Sequence, residues 1–111
     1  MAAPYLSELR DIVARCVDRR DTESVVCKHF FSGAAAYVDG RIFATLTPVG
    51  LAIKLPDPSC QTLLGKGAIP LRYFPSAPIK RGYVLYEDVG RVDANQLPAL
   101  FAESIANVLA S

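Results

Sequence analysis

Near the start of the chain, apolar residues recur every three or four positions: Leu6, Leu9, Ile12, Val13, Cys16 and Val17. Glu8, Arg10, Asp11, Arg15 and Asp18 lie between them. That period belongs to one face of a helix and predicts an amphipathic helix from Pro4 to about Arg19. Pro4 suits the first helical position, where its missing N–H has no intrahelical acceptor. Arg19 and Arg20 suit the negative end of the helix dipole.

After the polar stretch Asp21-Thr22-Glu23-Ser24 the texture changes. Val25 to Phe31 is a run of β-branched and aromatic residues and reads as a first strand. Ser32-Gly33 turns the chain, and Ala34 to Val38 forms a second strand. Asp39-Gly40 supplies the positive φ angles of a tight hairpin, from which Arg41 to Thr47 returns as a third strand. Pro48-Val49-Gly50 makes another turn, and Leu51, Ile53 and Leu55 alternate with Ala52 and Lys54 in a fourth.

Asp57-Pro58 reads as a cap followed by proline at the first helical position, opening a short helix that Gly65 stops. Ile69 to Phe74 predicts a fifth, irregular strand, and Tyr83 to Tyr86 a sixth. A C-terminal helix follows, capped near Asn95 so that Pro98 falls within its first turn. Its apolar face is Leu97, Leu100, Phe101, Ile105, Val108 and Leu109, with Glu103, Ser104 and Asn107 on the other side.

The order is α-β-β-β-β-α-β-β-α. Hairpins where parallel strands would need long crossovers predict a two-layer α+β domain: a mainly antiparallel sheet of five to six strands with three helices on one face. At 111 residues the chain has material for one core, so residues 1–111 are expected to form a single domain. With 51% hydrophobic and 21% charged residues, burial can offset the entropy of ordering the chain.

Twelve basic against eleven acidic residues leave a formal charge of +1, so no long-range field draws the protein to nucleic acid or anionic lipid. The opening Met1-Ala2-Ala3-Pro4-Tyr5 lacks a basic stretch followed by an apolar run. No apolar stretch approaches the roughly 18 residues that span a bilayer, which points to the cytoplasm and away from membranes. Cys16, Cys27 and Cys60 are odd in number and widely spaced, unlike a disulfide framework or a zinc site, and read as thiols in a reducing compartment.

Candidate chemistry is sparse. His29 is the sole histidine. It stands two residues from Cys27, on the same side of the first strand, so a thiolate–imidazolium pair or a two-ligand metal site is the enzymatic alternative; no third ligand or orienting acid is placed by the sequence. Gly65-Lys66-Gly67 lacks the spacing of a phosphate loop, and Glu87-Asp88 reads as a solvated turn. Lys66, Arg72, Lys80, Arg81 and Arg91, interleaved with Tyr73, Phe74 and Tyr83, outline a weak nucleic-acid surface as a further alternative. No catalytic residue, cofactor site or metal site is assigned.

The sheet face away from the helices is the stronger candidate. If Ile42, Ala44, Leu46, Leu51, Ile53 and Leu55 point inward, then Phe43, Tyr37 and one of Tyr83 or Val84 point outward. Tyr37, Phe43 and Tyr83 are thus the candidate partner-binding residues, forming an aromatic patch for a protein partner or a second copy of the chain. The competing reading has loops or the proline-rich segment cover that face within one chain.

In order and spacing, from about Tyr5 to Ala110, the chain resembles the N-terminal domain of the TfoX family of bacterial competence regulators. The residues that carry the resemblance are Phe30-Phe31-Ser32-Gly33, Tyr37, Gly40, Ile42-Phe43-Ala44 and Leu51-Ala52-Ile53-Lys54-Leu55. Leu63-Leu64, Gly67-Ala68, Pro78-Ile79-Lys80 and Tyr83-Val84-Leu85 continue it. Ser32 stands where the family turn has its first glycine, and the second domain of full-length competence regulators has no counterpart here. The resemblance implies a secretion-chaperone-like α+β fold, a bacterial cytoplasmic setting and a non-enzymatic interaction or regulatory role, with no catalytic residues carried over.

Overall fold

The computed structural model describes residues 4–18, 21 and 23–111. The expectations for Met1 to Ala3, for Arg19 and Arg20 at the helix end, and for Thr22 lie outside the described residues. The first helix, α1, spans Tyr5–Cys16, with Pro4 immediately before it instead of at its first helical position. Strands β1 (Val25–Phe30), β2 (Gly33–Val38), β3 (Arg41–Thr47) and β4 (Gly50–Lys54) follow as successive antiparallel neighbours. Helix α2 (Asp57–Leu63) begins at Asp57 itself, with Pro56 as the preceding cap. Next come β5 (Ile69–Leu71), β6 (Lys80–Tyr86), a 3-10 turn at Val89–Arg91, and helix α3 (Gln96–Ala110), capped at Asn95 as its sequence predicts.

The α+β expectation holds. One six-stranded antiparallel sheet runs in the order β1-β2-β3-β4-β6-β5. Leu9, Ile12 and Val13 of α1, Cys60 of α2, and Leu97, Leu100, Phe101, Ile105 and Val108 of α3 share one buried cluster. Ala34, Ala36, Val38, Ala44, Leu46, Leu51, Ile53, Val84 and Tyr86 supply the sheet side of it. Small residues on β2 let α1 lie close to the sheet, while leucine and isoleucine on β3 and β4 fill the space beneath α3. Arg41, at the start of β3, donates to the Val108 carbonyl at 2.8 Å, placing a cation on the electronegative end of α3.

Asp39 and Gly40 have φ of +52° and +76°, so the predicted hairpin turn is of the primed kind that matches strand twist. The preceding hairpin departs from expectation. Its two-residue loop is Phe31-Ser32, and Gly33 already belongs to β2, paired with Phe30. A Cβ on Gly33 would lie 2.1 Å from the Leu46 carbonyl oxygen, so the close approach of β2 to β3 requires glycine there.

Two orientations are corrected. The register between β2 and β3 shifts after Ala36↔Ala44 to Tyr37↔Ile42, leaving Phe43 as an extra residue in a β-bulge. Phe43 therefore turns toward the helices, and Ile42 takes the side that alternation assigns to Phe43. On α3, Ser104 is fully buried and Leu109 is 47% exposed, the reverse of the predicted face.

Candidate functional site

The second face of the sheet is not bare. Register places Ala35, Tyr37, Ile42, Thr45, Ala52 and Tyr83 on it. Ala52, Leu71, Tyr83 and Leu85 form a smaller buried cluster there, with Val49 and Tyr73 packed against it. Tyr73 comes from the segment between β5 and β6. That segment is folded on itself by an Ala77 N–H to Phe74 carbonyl bond of 2.9 Å. Covering by a loop is therefore the observed arrangement over this part of the sheet.

Of the three residues predicted to bind a partner, Tyr37 is half-buried, with the Lys28 ammonium 5.6 Å from its ring centroid. Tyr83 faces the predicted side but is buried. Loss of water, then the neighbouring Tyr73 and Tyr37, push its phenol up to about 12. Phe43 is removed from the surface altogether: it is fully buried and meets Phe101 edge-to-face at 6.1 Å between centroids.

Besides Ile69 on β5, the outer face exposes apolar side chains at the corner where β1 turns into β2. Phe31 has φ +47° and is 92% exposed. Its ring stacks edge-on against Phe30 at 4.6 Å, and Phe30 in turn lies 6.1 Å from Tyr73. Phe74 and Val26 are also exposed, and Val26 shares the face of Lys28 and Phe30 by strand alternation. A basic and aromatic rim thus runs along β1 to its hairpin. Sequence reading placed Phe31 at the end of a strand and missed it as a corner; the Phe-Ser-Gly step after an aromatic run was the available signal.

The alternative chemistries find little geometry. Cys27 and His29 both lie on the helix side of β1, but burial pushes the Cys27 thiol up, with a smaller opposing effect of the Arg10 charge. An activated nucleophile needs the opposite shift. Among the described residues no three His, Cys, Asp or Glu side chains gather as a metal site, and no helix is long and apolar enough to cross a membrane. Of the five basic residues, Lys66 and Arg91 share a cleft of about 490 Å³ with Glu87, Asp88 and Asp93. Arg91 is 3.7 Å from Asp88, and Arg72 reaches the Ala77 carbonyl. These acids offset the positive charge of Lys66 and Arg91, while Lys80 and Arg81 are exposed on β6.

Compared with models of known protein families and with curated proteins, the chain matches none.

Proposed function

We propose that the chain is a non-enzymatic interaction module of the bacterial cytoplasm, similar to the TfoX N-terminal domain, that binds a protein partner through the aromatic corner of the β1–β2 hairpin. The observation that carries this reading is Phe31. A bulky residue at φ +47° costs of order 1–3 kcal/mol in backbone strain, and at 92% exposure its ring recovers almost nothing by burial. Glycine suits the first position of such a two-residue loop. A ring held there at a cost is accounted for if another molecule covers it, because aromatic side chains bring large contact area with little entropy to lose. The resemblance over Phe30-Phe31-Ser32-Gly33 supports the regulatory part of the reading.

The test is photo-crosslinking in the native cell with p-benzoylphenylalanine in place of Phe31 and, as control, in place of Glu103, an exposed residue on α3. A discrete protein adduct formed from position 31 and not from position 103 is expected. An adduct of twice the chain's mass identifies self-association as the contact. No adduct from position 31, or the same adducts from both, overturns the reading.

A further inference from the structure

We infer that the free edge of β1 accepts an extended, acidic segment of a partner polypeptide as an added strand. This rests on the interaction reading above and names its partner class.

Among the described residues the sheet has two edges, β1 and β5. β5 has three residues, and its middle one, Pro70, has no N–H to offer. β1 has six residues and no proline. In a two-residue hairpin the closing pair, here Phe30 and Gly33, exchanges hydrogen bonds, and bonded pairs alternate along an antiparallel ladder. Phe30, Lys28 and Val26 therefore commit their backbone groups to β2. The Ser24 carbonyl, which accepts from the Asp39 N–H at 3.4 Å, continues that alternation. Val25, Cys27 and His29 turn their N–H and C=O groups outward, where an extended chain can pair with them.

Charge selects the occupant. From Val25 to Val38 the chain contains no carboxylate. Exposed Lys28 flanks the edge on the outer face, and the Arg10 charge reaches Cys27 from the helix side. Glu23 and Asp39 sit at the opposite end of β1 from Phe31. A second copy pairing edge to edge would bring two Lys28 ammonium groups and two Arg10 guanidinium groups together, whereas an acidic strand meets them with opposite charge. An apolar residue at its end would cover Phe31.

The probe is an acetylated, amidated eight-residue peptide alternating glutamate and valine and ending in phenylalanine. Two controls are a lysine–valine version and a version with prolines replacing the valines. Binding to the full chain is followed by fluorescence anisotropy, and amide exchange by NMR. The glutamate–valine peptide is expected to bind and to slow exchange at Val25, Cys27 and His29, leaving the already slow Val26, Lys28 and Phe30 little changed. Lys28→Glu should weaken it about tenfold or more, with an unchanged amide spectrum elsewhere showing that the fold is intact.

Equal binding of the proline or lysine control overturns the inference, as does binding without protection at those three amides, or no binding at all. If position 31 gives its crosslinked adduct while the peptide protects none of these amides, the strand-addition idea fails and the interaction reading stands. If the peptide protects the three amides and no adduct forms in the cell, the edge of β1 stands as a strand acceptor and the contact at the Phe31 corner falls.

Discussion

The Ser104 hydroxyl donates to the carbonyl oxygen of Phe43 at 3.1 Å, joining α3 to the bulge of β3 across 61 positions of sequence. The bulge takes Phe43 out of the regular ladder, so its carbonyl needs a partner that is not a neighbouring strand. A serine on the buried face of α3 supplies it, which is why a polar residue sits among leucines and isoleucine there.

Ser104→Ala leaves that buried carbonyl unpaired and should cost about 1–3 kcal/mol. Phe43→Ala should cost about 3–5 kcal/mol by removing the ring that meets Phe101. Urea denaturation monitored by circular dichroism reads both. Phe43→Asp should not yield a folded domain, and a folded Phe43→Asp variant would refute the inward placement of this side chain.

Phe31 gives the opposite sign. Because the ring is exposed and the backbone left-handed, Phe31→Gly relieves strain while adding unfolded-state entropy, and should leave stability unchanged or raised by up to about 1 kcal/mol. Thermal melting of the pair checks it. A loss greater than about 1 kcal/mol means that the edge-on contact with Phe30 outweighs the backbone strain.

Thr45 is fully buried between Ala35 and Ala52, and its hydroxyl finds no hydrogen-bond partner within the chain. Thr45→Val keeps the shape and removes the orphaned group. A gain of about 1 kcal/mol is expected from denaturant melts, and a loss of the same size would show that the hydroxyl is satisfied after all.

Stability should fall in alkali. The Tyr83 phenol ionises near 10 when unfolded and at about 12 when folded, so between those values the unfolded chain releases its proton first. Folding stability is then full below about pH 10 and declines through about pH 12, by about 2–3 kcal/mol for this group. Tyr86 and the three thiols shift the same way, so the readout is the difference between wild type and Tyr83→Phe. Urea melts from about pH 9 to about pH 12 should show a shallower decline in the variant; parallel curves would contradict the burial argument.

Alkylation of Cys27 by iodoacetamide at about pH 7.5 should be slower than that of free cysteine, since burial raises its thiol. Mass spectrometry of the labelled peptide follows the rate. Faster labelling than free cysteine would revive the thiol-dependent alternative.

Local pattern was enough to determine much of this protein. The three- and four-residue period of Leu9, Ile12 and Val13, the Asp39-Gly40 turn, the alternation from Leu51 to Lys54 and the cap at Asn95 all report conformations that neighbouring residues decide among themselves. From these the antiparallel sheet and its helices on one face could be read. Side-chain direction could not. Strict alternation assigns Phe43 to the outer face, but one extra residue in β3 reverses Ile42 and Phe43, and that residue exists only relative to β2. Ser104 is buried because of the same bulge 61 positions away. The corner at Phe31 likewise depends on how tightly β2 must approach β3 at Gly33. A period records what a residue prefers; which face it meets is settled by the strand beside it.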